Sequence, residues 1–149
     1  QDFLGRRIAI ENVSSYATFA ESELAEWEFL AAVADRADCA ILLDVNNVHV
    51  SAVNHGFSAD TYLAALPRER VVQLHIAGFS RGRELLLDTH GTAIDLAVWR
   101  LLELALERFG ALPLVLERDR NIPPLAELLD EARKASALIA RRVTRDDSE

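Results

Sequence analysis

The sequence predicts an α/β fold in which helices cover a parallel sheet. Near-continuous apolar runs alternate with segments of helical periodicity, which is typical of buried parallel strands joined by crossover helices. The 149 residues suit one domain, yet they are few for a complete eight-stranded α/β barrel, which takes roughly 200 residues or more. We therefore expect one domain with a single parallel sheet.

Five strands are predicted from the apolar runs. They span residues 7–13, 40–44, 71–76, 84–88 and 112–117. The fourth run is the exception, because only a few residues separate it from the third. Parallel neighbours normally need a connection of a dozen or more residues. Residues 84–88 are therefore either irregular or not a strand of the sheet.

Four helices are predicted between and after these runs, over residues 21–36, 58–66, 94–109 and 125–140. Thr18 and Glu21 have capping-box spacing ahead of the first helix, and Ser58 is a good N-cap for the second. Thr92 is a candidate cap for the third, which Gly110 ends. The Pro123-Pro124 pair opens the fourth. The polar segment 141–149 is expected to form a tail.

Composition excludes several classes of protein. The net charge of −8 argues against broad binding to nucleic acid or to an anionic membrane, since both favour basic patches. A single Cys, Cys39, excludes a disulfide framework and a thiolate-rich metal site. No apolar run approaches the roughly 18 residues of a membrane span, so a cytoplasmic protein is expected. The absence of Met indicates a piece of a longer chain.

Acidic residues and His follow the apolar runs at their carboxyl ends. They are Glu11, Asp44, His75, Asp88 with His90 two residues on, and Glu117. The carboxyl ends of parallel strands share one face of the sheet, so these six groups are expected to converge there. Two carboxylates about 4 Å apart repel by on the order of 4 kcal/mol at an effective dielectric near 20. Bound cations would relieve this repulsion, and carboxylates with imidazoles suit iron, manganese or zinc.

Simpler interpretations exist for each of these residues taken alone. An Asp at a strand end is often a helix cap, His75 could be a core histidine, and residues 88–91 could form a tight turn. His49 lies between apolar neighbours and is expected to be structural. His55 either shapes its loop or faces substrate, and Asn47 either forms a turn or holds a metal or ligand. The conjunction of similar strand endings favours a metal site over separate caps.

Six short motifs resemble a known family. They occupy residues 11–16 (ENVSSY), 43–47 (LDVNN), 54–57 (NHGF), 75–78 (HIAG), 88–91 (DTHG) and 122–125 (IPPL). In this order they resemble the multinuclear non-heme iron-dependent oxidative enzymes. That resemblance implies a (β/α)8 TIM barrel of xylose-isomerase-like type holding two or three irons, with zinc or manganese as other possible metals. Characterised members use O2 to modify residues, usually Cys, in ribosomally made precursor peptides, often with a small partner protein that presents the peptide.

The resemblance also implies roles for individual positions. Glu11, Asp44, His75 and Glu117 match the ligands at the core of the cluster, and Asp88 with His90 matches the pair that holds a further metal. Asn47 matches a position near the metals. With His55 in the loop over the mouth, it is a candidate for the catalytic step.

Family members carry further His ligands on earlier strands, which this chain lacks. Residues 1–149 therefore resemble the C-terminal part of one barrel, with about five strands and four helices of the full set. Such a part has open sheet edges. Its expected partner is the missing N-terminal part of the barrel, or a second copy docked through those edges. On its own it is expected to bind metal incompletely and to be inactive.

Other functions fit parts of the pattern. Three-zinc hydrolases that act at abasic sites use a similar ligand set. An acidic chain binds DNA poorly, however, which argues against this alternative. A sugar isomerase commonly needs a catalytic Lys, and Lys134 is the only Lys. A non-catalytic fragment is the remaining alternative. The expected substrate is a precursor peptide, with neither nucleic acid nor membrane as a partner.

Overall fold

The computed structural model describes residues 1–146, in which strands and helices alternate. The strands are β1 (Ala9–Glu11), β2 (Ala40–Asp44), β3 (Val71–Ile76), β4 (Ser80–Arg81), β5 (Leu86–Leu87) and β6 (Leu114–Leu116). The helices are α1 (Glu26–Arg36), α2 (Val45–His55), α3 (Ala59–Ala65), α4 (Leu96–Phe109) and α5 (Leu125–Asp146). A short 3₁₀ turn, Arg68–Arg70, precedes β3.

Four of the strands form one parallel sheet in the order β1-β2-β3-β6. Leu43 pairs with Leu74, which in turn pairs with Leu114. Each connection between neighbouring strands includes at least one helix, as parallel pairing requires. The predicted α/β class with a mostly parallel sheet is confirmed.

The two faces of this sheet differ in burial. One face carries Ile41, Leu43, Leu74 and Ile76, which are fully buried in the same hydrophobic cluster as residues of α2, α3 and α4. On the opposite face Leu42 and Gln73 are half-buried, while Ala9 and Val115 are exposed. Side chains alternate along a strand, so every second residue of each strand lies on this more open face.

The segment 84–88 is not a strand of the parallel sheet. Leu86–Leu87 instead pairs antiparallel with Ser80–Arg81 in a small separate hairpin. The crossover from β3 to β6 is made by α4, which resolves the short connection noted in the sequence. Among residues 1–146 there are thus four strands in the main sheet, two in the hairpin and five helices, which corrects the expected five strands and four helices.

The additional helix is α2, which the sequence pattern did not reveal. It begins directly after β2 and contains four Val and three Asn, residue types with modest helix propensity. Val45, Val48 and Ala52 are buried on it, so packing against the sheet and the neighbouring helices overrides the weak local preference. Gly56 ends the helix with φ +73°, a conformation that favours glycine.

Two predicted caps are wrong. Helix α1 begins at Glu26 rather than residue 21, and the Glu28 carboxylate accepts a hydrogen bond from the Ala25 backbone N–H at 2.9 Å, so Thr18 is not its cap. Helix α4 is capped by Asp95, which accepts from the Ala97 N–H at 2.9 Å. Thr92, expected as that cap, instead donates to the Phe79 carbonyl.

The last helix is longer than the sequence pattern predicts. Helix α5 continues to Asp146, six residues beyond the expected end at residue 140, and so includes most of the expected polar tail. The remainder of that tail, residues 147–149, lies outside the described residues. No helix in the described part of the chain is both long and apolar enough to span a membrane.

Replacing Leu43 by Ala is expected to lower the free energy of unfolding by about 2–5 kcal/mol, because its fully buried side chain would leave a cavity beneath the helices. Val115→Ala in β6, on the more open face, is the control, since Val115 is 39% exposed and its loss should cost less than about 1 kcal/mol. Urea denaturation of both variants measures the difference. Equal losses would contradict the assignment of the two faces.

Candidate metal centre

Four side chains at the carboxyl edge of the sheet converge on its more open face. Glu11 ends β1, Asp44 ends β2 and pairs with His75 of β3, and Glu117 directly follows β6. The His75 Nδ1 atom lies 3.3 Å from Glu11 Oε1 and 3.0 Å from Glu117 Oε1. The structure therefore brings together side chains that are more than 100 residues apart in sequence, Glu11 and Glu117, around one imidazole.

The loop after the hairpin delivers two more of the predicted groups. His90 has φ +48°, an uncommon left-handed conformation for a residue with a side chain. Its Nε2 lies 2.7 Å from Asp88 Oδ1, and its Nδ1 lies 3.1 Å from Glu117 Oε2. Asp88 and His90 thus reach the same place as the strand-end residues, although the run preceding them is not part of the sheet.

Two sets of three side chains have the spacing of metal ligands. Glu11, Asp44 and His75 form one set, and Asp44, His90 and Glu117 form the other, with ligand atoms in each set within 4.8 Å of one another. Asp44 belongs to both sets. Its carboxylate would therefore be a ligand that both sets share if each held a cation.

The short distances at this centre are not those of satisfied hydrogen bonds. Four buried polar atoms have no hydrogen-bond partner among the described residues: Asp44 Oδ2, His75 Nδ1, His90 Nδ1 and His90 Nε2. Two ligands bound about 2.1 Å from one ion at angles of 90–109° lie about 3.0–3.4 Å apart. The nitrogen and oxygen atoms at this centre lie at such distances but lack hydrogen-bond geometry. This arrangement is the one expected of ligands that share a cation.

Asp44 combines a structural contact with a free ligand atom. Its Oδ1 accepts the Asn47 N–H at 2.7 Å and so caps α2, which fixes the rotamer of the carboxylate. Its Oδ2 is buried and unpartnered. The cap and the metal-ligand interpretations of this residue are therefore compatible, because each uses a different oxygen.

Burial, helped by the neighbouring carboxylates of Asp88 and Glu11, raises the pKa of Asp44 from 3.8 to about 7, against the opposing effects of the Asn47 N–H and His90. The ionised form is costly in this setting without a counter-charge. A cation at the centre would remove that cost. The carboxylate is thus poised to exchange a proton for a metal ion.

Hydrogen bonds from neighbouring segments orient the candidate ligands. Asn12 forms a reciprocal pair with the backbone of Asp44, accepting its N–H at 2.7 Å and donating to its carbonyl at 2.9 Å. Asp88 accepts from Ser14 Oγ at 3.2 Å and from Asn46 Nδ2 at 2.8 Å. Its backbone N–H donates to the Tyr16 phenol oxygen at 2.9 Å. Such contacts fix ligand orientation in metal sites.

Sequence reasoning missed two groups that touch the imidazoles. Gln73 lies two residues before His75 on the same face of β3, and its Nε2 lies 3.0 Å from His75 Nε2. Side chains two residues apart in a strand lie on the same face, so the spacing of Gln73 and His75 could have revealed this contact. Asp119 Oδ2 lies 3.2 Å from His90 Nδ1, and the Asp119 N–H donates to the His90 carbonyl at 2.9 Å. Nothing in the sequence pattern pointed to Asp119, since it follows no apolar residue.

Three other residues that the sequence singled out, His49, His55 and Asn47, lie outside the two sets of ligand atoms. His49 packs on Phe79, with ring centroids 5.0 Å apart, and burial lowers its pKa. His55, proposed for catalysis, lies at the end of α2, where its Nε2 is 3.1 Å from Ser15 Oγ. Asn47 Nδ2 donates to the Asn12 carbonyl at 3.0 Å, which ties α2 to the segment after β1.

A close backbone approach shapes the far side of the centre. A Cβ atom at Gly78 would lie 2.1 Å from the Thr92 carbonyl oxygen, so only glycine fits there. This contact holds the strand exit of β3 against the segment that follows His90. The loop carrying Asp88 and His90 is thereby held close to His75.

Comparison with known proteins identifies the family to which this chain belongs. Residues 1–140 match the family model described as the RiPP precursor modification enzyme MbnB/TglH/ChrH, and the chain belongs to this family of metalloenzymes that act on precursors of ribosomally made peptides. The resemblance drawn from the motifs is confirmed.

Individual relatives carry the name UPF0276 protein. The chain is 54% identical over 140 residues to the one from Anaeromyxobacter sp. (strain Fw109-5), covering 94% of this chain and 50% of the relative. Identity is 53% over 135 residues for the protein from Rhizorhabdus wittichii (91% and 48% covered) and 52% over 137 residues for that from Caulobacter vibrioides strain NA1000 (92% and 49% covered). The chain spans about half the length of the curated relatives it matches.

The raised pKa of Asp44 predicts an unusual pH dependence of stability. In metal-free protein the folded state keeps this proton up to about pH 7, whereas the unfolded chain releases it near 3.8. The folded state therefore binds more protons between these values, so the free energy of unfolding falls as pH rises through this window, by at most about 4 kcal/mol.

Asp44→Asn is expected to flatten this dependence, because Asn retains the capping oxygen and carries no titrating proton. Urea denaturation of both proteins in the presence of a chelator, at several pH values from 4 to 8, makes the comparison. Parallel pH curves for the two proteins would refute the assignment.

Proposed function

We propose that this chain forms the metal-binding part of an iron-dependent enzyme that oxidatively modifies a ribosomally made precursor peptide, at Cys, with O2. The family supplies the precursor peptide as substrate class. Iron, the oxidative reaction and the choice of Cys are our inferences. In this proposal two or three ions lie among Glu11, Asp44, His75, Asp88, His90 and Glu117.

One observation carries the proposal. Imidazole nitrogens and carboxylate oxygens approach within 2.7–3.3 Å at the carboxyl edge of the sheet, and several of these atoms lack hydrogen-bond partners within the described ranges. Carboxylates and imidazoles without thiolates suit iron better than they suit a closed structural zinc site. The shared Asp44 favours more than one ion over a single one.

When bound, iron supplies the ability to bind and activate O2, which accepts the electrons that the substrate thiol gives up. The chain's own residues hold and orient the candidate metal ligands. Asn46 and Ser14 fix the carboxylate of Asp88, and Gln73 contacts the nitrogen of His75 that faces away from Glu11. These contacts reduce the freedom of the ligands before any ion binds, which is the usual task of groups around a metal site.

The open face of the sheet supports a partial barrel. We infer that the four parallel strands belong to a (β/α)8 barrel of xylose-isomerase-like type, in which Leu42, Gln73 and Val115 face the interior. The strands that would close it are expected in the part of the relatives that this chain does not match. A small protein that presents the peptide is a further expected partner, and the candidate catalytic groups His55 and Asn47 belong to the same proposal.

Glu117→Gln is expected to lower the affinity for iron by about tenfold or more, since Glu117 contacts both imidazoles and belongs to one of the two ligand sets. His49→Gln is the matched control, because His49 packs on Phe79 away from these sets. Each protein is loaded with Fe²⁺ in the absence of oxygen and desalted, and elemental analysis then measures its iron content. Equal losses in the two variants would overturn the ligand assignment.

The reaction itself is tested by producing the full-length protein together with short peptides encoded beside its gene. Mass spectrometry should show a peptide whose mass changes at a Cys only when the enzyme and O2 are present, and the change should be absent with Glu117→Gln. Stoichiometric zinc with nicking of abasic DNA would favour the hydrolase alternative instead. An unmodified peptide with an iron-loaded enzyme would contradict the oxidative proposal.

A further inference from the structure

A large open cavity lies beside the candidate metal centre, between the segment after β1 and helix α1. Its volume is about 780 Å³, within the range of roughly 300–1,000 Å³ that small-molecule and peptide side-chain sites occupy. Its walls are mostly apolar and include Val13, Phe19, Leu24, Trp27, Phe29 and Phe57. Phe19 is 72% exposed and Phe29 is 60% exposed, so both rings face solvent in the free chain.

The cavity and the metal centre share one wall. Consecutive residues of the segment after β1 face opposite sides of it: Ser14 donates to the Asp88 carboxylate, while Ser15 contacts His55 in the cavity lining. The backbone of Ser15 is anchored to α2, since its N–H donates to Ser51 Oγ at 2.9 Å. A ligand in the cavity would therefore be separated from the candidate metal ligand Asp88 by this one extended segment.

The charge of the lining indicates what kind of ligand fits. Glu21, Glu23 and Glu26 contribute to it, and the described lining residues include neither Arg nor Lys. Burial raises the pKa of Glu26, which also accepts a hydrogen bond from the Tyr62 hydroxyl at 3.0 Å. Glu21 and Glu23 are exposed and free to meet a cation. The lining thus combines aromatic and aliphatic surface with negative charge at its rim.

We propose that this cavity binds the segment of the precursor peptide next to the modified residue, a segment in which an aromatic or branched aliphatic side chain lies beside Lys or Arg. The proposal rests on the proposed function for the identity of the peptide. Apolar side chains would fill the space against Trp27 and Phe29, and the basic neighbours would pair with Glu21 and Glu23. The shared wall then places the following residues of the peptide at the metal centre.

Binding of fluorescein-labelled synthetic peptides, measured by anisotropy on the full-length protein, tests this. Arg-Phe-Leu-Lys-Phe-Arg should bind saturably. Glu-Phe-Leu-Glu-Phe-Glu and Arg-Ser-Gly-Lys-Ser-Arg should each bind about tenfold more weakly, because one lacks the charge complement and the other lacks the apolar side chains. Equal binding of all three peptides, or no saturable binding of the first, would overturn the proposal.

Matched variants locate the binding. Phe29→Ser should weaken binding of the first peptide by about fivefold or more. Val53 lies on α2 outside the cavity and is 53% exposed, so Val53→Ser should leave that binding unchanged. The double variant Glu21→Gln/Glu23→Gln should remove most of the preference for binding the first, basic peptide over the acidic one. Glu103→Gln/Glu107→Gln on α4 should preserve it. Equal effects of cavity and control variants would contradict the site.

Two further outcomes separate the alternatives. If the peptides fail to bind and sedimentation shows a dimer that Phe29→Ser dissociates, the cavity is a contact between copies of the chain and the proposal is wrong. Glu117→Gln should bind the peptides as the unaltered chain does, because it changes the metal centre and not the cavity. Peptide binding without modification of any precursor would then count against the proposed function alone, and modification without peptide binding would count against the cavity alone.

Discussion

The pairing of Asp44 with His75 in adjacent parallel strands sets the positions of the strand-end residues in the candidate centre. Parallel register places strand ends side by side, so Glu11 and Glu117 on the outer strands reach the same imidazole from opposite directions. Burial of the opposite face against the helices enforces this register, because a slip of one residue would turn Asp44 and His75 into the apolar core. Core packing and site geometry therefore depend on one alignment.

This alignment brings mutually repelling groups together at a cost that the rest of the structure offsets only in part. Asn12 secures the backbone of Asp44, and the first turn of α2 binds one of its oxygens. Serine, tyrosine and asparagine side chains do the same for Asp88. The remaining unpartnered atoms point at one another, which is the pattern expected where the final stabilising partner is a cation. Stability and metal affinity are thus coupled through the same carboxylates.

The sequence predicted the sheet and the residues gathered at its edge better than it predicted the local structure around them. Buried strands such as Ala40–Asp44 have a strong apolar signal that ends sharply at the site residue. Helix α2 was missed because its Val and Asn residues form a helix only through burial, and the run before Asp88 was ambiguous because short apolar runs occur in hairpins and in sheets alike. Gln73 was missed although its spacing from His75 places it on the same face of β3, and Asp119 was missed because it follows no apolar residue and meets His90 only through the path of the loops.

A crystal structure of the iron-loaded full-length protein, with anomalous scattering recorded on both sides of the iron absorption edge, tests the central claim most directly. The account predicts at least two iron peaks, one enclosed by Glu11, Asp44 and His75 and the other by Asp44, His90 and Glu117, with Asp44 contacting both. Peaks elsewhere on the chain, or ordered hydrogen bonds between these side chains with no iron among them, would contradict it.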